Sequence, residues 1–221
     1  MIESVNVIGR GRVGSAIVAR LEERGVDVRE DGAEIVLLCV PDSAIATTVR
    51  CQTLVMSQWV GHTSGATPLS ALDPHVRRFG MHPLQTFTRL RGPEQLDGAF
   101  AAVTAETGEA REIGVELAEL LGLRPFDLAE RDRALYHAGA AIASNYLVTL
   151  HQAATALFEQ VGAPSAGLEP LMRRVIDNDF ELTGPIARGD WATVEGHLEA
   201  IRERAPRLEP LYRSLAEATA R

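Results

Sequence analysis

The sequence contains no lysine and only two cysteines. All 22 basic residues are arginine, so any mechanism that needs a lysine as acid or base is excluded. Cys39 and Cys51 are too few for a disulfide framework or a metal site, and Cys39, inside an apolar run, is interpreted as a small core residue. The N-terminus lacks a signal-peptide pattern, and no apolar stretch reaches membrane-spanning length without a charge or a turn. The sequence therefore predicts a cytoplasmic protein.

The composition also limits the partners. The formal net charge of −8 repels phosphate backbones, so nucleic acid is excluded as a general partner, although a local basic pocket for a small anion stays possible. With 221 residues, of which 46% are hydrophobic, the chain is long enough for two small folded domains.

The hydrophobic pattern changes near Asp127. Before it, strand-like runs alternate with helical patterns, which predicts a parallel sheet; after it, only helical patterns follow. The predicted strands are 4–8, 34–40, 58–62, 76–81 and 99–104, and the predicted helices are 13–23, one starting at Ser43, 109–121, 130–161, 165–180, 190–204 and 207–220. We predict a doubly wound α/β domain of Rossmann type over residues 1–127 and an all-helical domain over 128–221.

A G-x-G-x-x-G motif follows the first predicted strand and opens the first helix. Its first glycine permits a tight turn, its second lets a diphosphate approach the backbone, and its third lets the helix pack against the strand. Free N–H groups at the helix start would then hold the phosphates. A tight turn without a ligand is the alternative. The predicted cofactor-binding residues here are Gly9, Arg10, Gly11, Arg12, Val13 and Gly14.

The segment after this helix is too short for a complete Rossmann domain. Residues 26–28 are the only candidate for a second strand, and only residues 29–33 separate it from the next strand, whereas a parallel crossover needs about ten residues. The second crossover helix and one strand are therefore predicted to be missing. Asp27, Arg29, Glu30 and Asp31 remain as candidates for contact with a ribose or a 2′-phosphate, which does not separate NAD from NADP.

Several further motifs occur together with the glycine motif. They are 40–42 (VPD), 62–66 (HTSGA), 80–87 (GMHPLQTF), 136–147 (YHAGAAIASNYL) and 182–190 (LTGPIARGD). Over almost the whole chain this combination resembles the Rossmann-like plus DUF2520 family of oxidoreductases, a branch of the 6-phosphogluconate dehydrogenase-like superfamily. The resemblance implies NADP or NAD as cofactor, with NADP slightly favoured, a helical C-terminal domain, and a homodimer formed through that domain.

Reduction of a carbonyl or an imine needs a hydride, a proton donor and dipoles that hold the developing charge. Loops that follow the strands supply Val40, Pro41 and Asp42 for the cofactor, and His62, Ser64 and His82 near the substrate. In the family's relatives, a lysine and an asparagine on the first long helix act on the substrate. Asn145 resembles that asparagine, whereas Ala141 stands one turn earlier, so His137, a further turn back, is the candidate proton donor.

Each assignment has an alternative. His137 is equally consistent with a core histidine, Asn145 with helix packing, and His82 with fixing the turn before its proline. Arg188 either grips a substrate carboxylate or pairs with Asp190, which could simply cap a helix. The predicted catalytic residues are His137, Asn145 and His82, and the predicted substrate-binding residues are Arg188, Thr183, Ser64 and His62; no metal site is predicted.

These features predict an NAD(P)-dependent oxidoreductase that reduces a small keto acid or imine. The alternative is a non-catalytic ligand-binding or regulatory protein that keeps the fold without full dinucleotide recognition, which the missing crossover and the absent lysine favour. A flavin-type cofactor is a third hypothesis. Small residues along the first long helix, from Ala138 to Ser144, suit either packing inside the chain or a dimer interface.

Overall fold

The computed structural model describes residues 1–51 and 58–220. The chain divides into two compact units, Met1–Ala141 and Ile142–Arg221. The last strand ends at Asp127, where the sequence pattern changes, but the first helix beyond it makes its contacts within the first unit. The contact-based division therefore falls later in the chain than the end of the sheet.

The first unit contains one seven-stranded sheet in the order β2-β1-β3-β4-β5-β6-β7. Its strands are β1 (Ser4–Ile8), β2 (Asp27–Val28), β3 (Ile35–Leu38), β4 (Trp59–His62), β5 (Arg78–Pro83), β6 (Phe100–Ala105) and β7 (Arg124–Asp127). The five predicted strands are confirmed with ends within two residues, β2 is the short candidate second strand, and β7 was not predicted.

The sheet is mostly parallel, as predicted, with one antiparallel pair at β6. The pairs β1–β2, β1–β3, β3–β4 and β4–β5 are parallel, but β6 pairs antiparallel with β5. Residues 84–99, which join β5 to β6, contain a 3-10 helix at Pro93–Leu96 and no α-helix. Without a crossover helix the chain turns back beside the strand it has just left.

The predicted truncation is confirmed. β2 and β3 lie on opposite sides of β1, and residues 29–34 join them without a helix. The chain thus keeps the first strand-helix-strand element of a Rossmann domain, which places the glycine motif, and lacks the following helix.

Helices cover both faces of the sheet. On one face, α1 (Arg12–Glu23) and α3 (Gly108–Leu120) pack against the strands, with Ile17 and Leu117 fully buried. On the other face lie α2 (Ile45–Cys51) and a 3-10 helix at Leu69–Leu72. This arrangement confirms the doubly wound α/β class.

A helical region follows the sheet. It contains α4 (Arg133–Ala141), a π-helical segment (Ile142–Tyr146), α5 (Leu147–Gln160), α6 (Leu168–Asp177), α7 (Trp191–Arg204) and α8 (Glu209–Thr219). The long helix predicted at 130–161 is therefore interrupted by one π-helical segment. No helix in the described ranges is both long enough and apolar enough to cross a membrane.

Candidate active site

The glycine motif forms a sharp turn between β1 and α1. Gly9 has φ +103°, and a Cβ atom there would lie 2.6 Å from the carbonyl oxygen of Cys39 at the end of β3. A Cβ on Gly14 would lie 1.9 Å from the carbonyl oxygen of Gly9. The first and third glycines are therefore required by the turn itself, as the sequence predicts.

Gly11 is different, because neither its backbone angles nor a contact with any described residue requires a glycine there. A Cβ there would meet no atom within 4 Å, and its φ of −72° and ψ of −162° are open to any residue. Gly11 is exposed and precedes α1, whose start has neither a side-chain cap nor an acidic residue in its first turn. An open, uncapped helix start with no side chain above it fits a diphosphate group, which needs the backbone N–H groups and the space.

The end of β3 lies beside this turn. A side-chain carbon of Val40 is 3.1 Å from the position of a Cβ on Gly9. Pro41 and Asp42 follow, are exposed, and lead into a short 3-10 helix at Asp42–Ala44. The structure thus places Val40 at the glycine turn, as expected for a residue beside a bound cofactor.

The short β2 segment offers one cation next to carboxylates. The Nη2 of Arg29 donates to the Ser4 hydroxyl at 3.0 Å, and its Nε lies 3.4 Å from Asp27 Oδ2. The carbonyl of Glu30 accepts a hydrogen bond from Asn6 Nδ2 at 2.6 Å. The Arg29 guanidinium and the Asp27 carboxylate are therefore neighbours, and their pairing favours neither the ribose hydroxyl of NAD nor the 2′-phosphate of NADP.

Two predicted histidines meet on either side of Gly65. A Cβ on Gly65 would lie 2.6 Å from Cδ2 of His137 and 3.0 Å from two ring carbons of His82. The two imidazole rings are edge to face, with centroids 5.7 Å apart. His82 comes from β5 and His137 from α4, so the fold joins residues 55 positions apart around one glycine.

Tyr136 completes this histidine cluster. Its hydroxyl lies 2.8 Å from Nδ1 of His82, and the two rings are also edge to face. Burial, together with the positive charges of His137 and Arg133, lowers the pKa of His82 to about 4. Burial raises the pKa of Tyr136 to about 12. Near pH 7 the pair is therefore a neutral imidazole hydrogen-bonded to a neutral phenol.

Arg133 is a buried cation next to this cluster. Its side chain is 2% exposed, its Nη2 donates to the carbonyl of Ser64, and its Nε is 4.0 Å from Glu130 Oε2. Its Nε and Nη1 have no hydrogen-bond partner among residues 1–51 and 58–220. Burial lowers the pKa of this guanidinium. A buried, incompletely paired arginine is rare in a core, because desolvation of its charge is costly.

His62 lies against the same arginine. A Cβ on Gly80 would be 2.7 Å from Nη1 of Arg133 and 3.3 Å from Cε1 of His62, so both side chains converge over Gly80. His62 is fully buried, and neither of its ring nitrogens has a hydrogen-bond partner in the part of the chain that the structure describes. Burial and then the charge of Arg133 lower the pKa of His62 to about 3. His62 is therefore neutral at any physiological pH.

Ser64 uses its hydroxyl inside its own turn. The Oγ accepts hydrogen bonds from the N–H groups of Ala66 at 3.2 Å and Thr67 at 2.9 Å, and is 2.9 Å from the Thr67 hydroxyl. This turn positions Gly65 and presents the Ser64 carbonyl to Arg133. The role of substrate contact predicted for Ser64 stays a prediction, since its hydroxyl has several internal partners.

The remaining predicted residues belong to the second unit. Asn145 is exposed and lies in the π-helical segment, a feature often found at functional sites. Thr183 and Arg188 are exposed. Asp190 caps α7, accepting from the Thr193 N–H at 3.1 Å, and the described residues include no ion pair between it and Arg188. The capping interpretation of Asp190 is thus confirmed.

Sequence reasoning missed Arg133 and Tyr136 as members of the cluster. Arg133 precedes His137 by four residues, which puts both on one helix face. Tyr136 stands next to His137 in a motif already recognised. The spacing therefore indicated that Arg133 and His137 share a helix face, but an arginine is usually expected at the protein surface. Among the described residues, no group of three or more potential ligands is placed to hold a metal ion.

The fold and the glycine turn define a Rossmann-type α/β protein with a helical C-terminal region. Residues 99–219 match the family DUF2520, a domain of unknown function, and this match spans more than half of the chain. The chain belongs to this family, as its motifs predicted. A search of the curated proteins found no match.

Several solved structures share this fold. A Bacteroides fragilis protein provisionally described as an NADP oxidoreductase has a TM-score of 0.84 at 20% identity, covering 99% of this chain and 98% of that one. A Thermotoga maritima protein has a TM-score of 0.77 at 22% identity, covering 98% of both. A reductive aminase from Aspergillus terreus, solved with NADPH and ethyl-5-oxohexanoate, has a TM-score of 0.64 at 15% identity, covering 99% of this chain and 93% of that one. At these identities the similarity establishes the fold.

Proposed function

We propose that the protein is an NAD(P)-dependent oxidoreductase that reduces a small keto acid or imine. The observation that carries this proposal is the open start of α1, where Gly11 leaves space above the backbone and the first turn has neither a side-chain cap nor an acidic residue. A diphosphate group lying against the backbone at this point would use the free N–H groups. Two solved structures of similar fold, the Bacteroides fragilis protein described as an NADP oxidoreductase and the NADPH-bound reductive aminase, support the same class of reaction.

The residues that would hold the cofactor are those of the turn. The backbone N–H groups after Gly11 face the diphosphate, Arg10 and Arg12 supply positive charge, and Val40, Pro41 and Asp42 line the adjoining strand end. When bound, a nicotinamide cofactor supplies a hydride to the carbon that is reduced. The choice between NAD and NADP is left to measurement, with NADP slightly favoured.

The histidine cluster is proposed to handle the proton. His137 donates a proton from its ring to the substrate oxygen or nitrogen that receives the electron pair, and is reprotonated from solvent. His82 is neutral near pH 7, so it acts as a hydrogen-bond partner that orients Tyr136 beside His137. The buried guanidinium of Arg133 keeps this cluster electropositive, which favours an anionic or polarised substrate.

Residues of the second unit are assigned the binding of the substrate. Asn145 is proposed to orient it, Arg188 to hold a carboxylate in bidentate fashion, and Thr183 to assist. Ser64 and His62, predicted to bind the substrate, are buried in the first unit, and we propose that they support the histidine cluster. Each role is testable separately by substitution once a substrate is in hand, since a binding residue raises KM more than it lowers kcat.

A second copy of the chain is the proposed partner. No residue of α5 is buried, although the helix carries several large apolar side chains, such as Val148 at 56% and Leu150 at 37% exposure. A helix with exposed apolar side chains of this size is stabilised by an apolar partner, and a second copy of the same chain offers such a surface at every concentration of the protein. The homodimer through the helical region, expected from the resemblance, is therefore retained as a proposal.

Fluorescence titration of the purified protein with NADPH and with NADH tests the oxidoreductase proposal. We expect at least one to bind at micromolar to millimolar levels. Gly11→Val should then weaken that binding by roughly tenfold or more, because the new side chain occupies the space above the helix start. Gly108→Val, at another exposed glycine before open space, is the matched control and should bind normally. Failure of both dinucleotides to bind the wild-type protein at millimolar levels contradicts the proposal.

The non-catalytic alternative is favoured by one observation, the six residues that join β2 to β3 without a helix. It predicts weak or absent dinucleotide affinity together with binding of a smaller anion at the glycine turn. Recovery of the protein with a tightly bound nicotinamide cofactor counts against it. The absorbance spectrum of freshly purified protein tests the flavin hypothesis in the same preparation.

A further inference from the structure

A second set of positive charges stands beside the glycine turn. A cavity of about 290 Å³ is bounded on one side by α1 and on the other by residues 88–93 of the loop between β5 and β6. Four arginines line it: Arg10, Arg12, Arg89 and Arg91. In the described part of the chain none of the four forms an ion pair, although the protein as a whole carries a net charge of −8.

The loop that carries Arg89 and Arg91 is held in place by one buried amide. Gln95, 6% exposed, donates from Nε2 to the carbonyls of Thr88, Arg91 and Gly92 at 3.2, 3.0 and 2.9 Å. Its Oε1 accepts from the Thr88 N–H at 2.8 Å. The backbone between residues 88 and 92 therefore folds around the Gln95 side chain. This fixes the backbone positions from which the side chains of Arg89 and Arg91 extend.

A second contact fastens this loop to the helix of the glycine motif. Arg20, a buried residue of α1, donates to the carbonyl of Pro93 at 2.9 Å and pairs with Asp97 at 2.8 Å. The nearest carboxylate on the loop, Glu94, accepts a hydrogen bond from the Gly92 N–H at 3.0 Å. The loop therefore presents its arginines toward the start of α1 without a carboxylate that pairs with them.

We infer that Arg89 and Arg91 complete, with Arg10 and Arg12, a binding site for a phosphate group carried by a small molecule. Four like charges gathered on a fixed frame repel one another, and a multiply charged anion relieves that repulsion. Guanidinium groups match phosphate oxygens in bidentate geometry, and the adjacent open helix start adds N–H donors. The inference extends the proposed function but does not require it, because a phosphate of the dinucleotide and a phosphate of a separate ligand have the same chemistry.

The test compares wild-type protein with Arg89→Gln/Arg91→Gln. These two side chains make no hydrogen bond or ion pair among the described residues, so the double variant should fold normally. Its control is Arg24→Gln/Arg207→Gln, which removes the same charge from two exposed arginines that likewise form no ion pair in the described ranges. Three probes are titrated at constant ionic strength: inorganic phosphate, followed by the thermal unfolding midpoint, and NADPH and NADH, followed by calorimetry.

The double variant should bind at least one probe roughly tenfold or more weakly than the wild type, while the control binds as the wild type does. Loss for NADPH alone assigns the site to the 2′-phosphate, loss for both dinucleotides assigns it to the diphosphate, and loss for inorganic phosphate alone assigns it to a separate phosphorylated ligand. Equal affinity of variant and wild type for every probe that binds overturns the inference, as does a wild-type protein that binds none of the three. If the variant and the wild type bind every probe equally, the oxidoreductase proposal is unaffected. If the wild type binds inorganic phosphate but neither dinucleotide, and the variant loses that binding, the phosphate site is supported and the result counts against the oxidoreductase proposal.

Discussion

The two units of the chain bury their apolar side chains to very different degrees. In the first unit, every residue of β3 and β4 is buried, and helices cover both faces of the sheet. In the second unit, α5 has no buried residue, and among residues 142–220 five hydrophobic residues are buried: Leu168, Val194, Leu198, Ile201 and Ala216. A sheet covered on both sides carries its own core, whereas a few amphipathic helices need additional apolar cover.

The largest effect on stability is expected in the core of the first unit. Phe79 is fully buried, and its ring fills the space left by Gly61 on β4 and Gly114 on α3, where a Cβ would lie 2.6 and 3.2 Å from the ring. Phe79→Ala should lower the free energy of unfolding by about 3–5 kcal/mol in urea denaturation. Leu90→Ala, at a side chain 94% exposed, serves as the control and should change it by less than about 0.5 kcal/mol.

The next effect is expected in the second unit if a second copy covers α5. Val148→Asp places a charge on its exposed apolar surface, and should weaken a dimer by about 2 kcal/mol or more. Sedimentation equilibrium should then show a shift from twice 23.9 kDa toward 23.9 kDa. Ser70→Asp, on the exposed surface of the first unit, should leave the mass unchanged. A monomeric wild-type protein would remove the proposed homodimer.

An effect that is graded with pH, rather than produced by one substitution, is expected in the first unit. His62 and His82 have pKa values of about 3 and 4 in the folded protein, below the ordinary value of 6.5, so between these values the unfolded chain binds more protons. Their contribution is complete above about pH 6.5 and is lost as the pH falls toward the folded values, by up to about 1.4 kcal/mol per pH unit for each histidine.

Urea denaturation between pH 4 and 7 measures this loss. His62→Gln should flatten the fall in unfolding free energy by about 1 kcal/mol per pH unit, whereas His151→Gln, in the second unit, controls for the removal of a histidine and should keep the wild-type slope. Identical slopes for wild type and His62→Gln would mean that His62 is not held neutral by burial.

The same contrast explains what the sequence could predict. β1 and β3 are dense apolar runs, and the spacing of Gly9, Gly11 and Gly14 is a local signal, so both were found. β7 was missed because Arg124 and Pro125 carry no strand pattern, and its conformation comes from pairing with β6. The antiparallel direction of β6 was not predicted, because it depends on pairing with β5 and not on a local sequence pattern.

The candidate site was predicted in part for a similar reason. His62, His82 and His137 were identified from loops and motifs, and the structure gathers them in the first unit. Arg133 escaped notice because its burial is set by Gly80 and His62, which are distant in sequence. Residue types can be recognised from the chain alone, whereas desolvation is a property of the surroundings.

The side-chain amide of Gln95 fixes the backbone of the loop at 88–92 independently of the side chains that would select an anion. Because Gln95 binds only backbone atoms of Thr88, Arg91 and Gly92, the identities of the side chains at 89, 90 and 91 do not affect how the loop is held. Substitutions at positions 89–91 should therefore leave the backbone conformation of the loop unchanged, so the anion preference of the site can vary without a change in the fold.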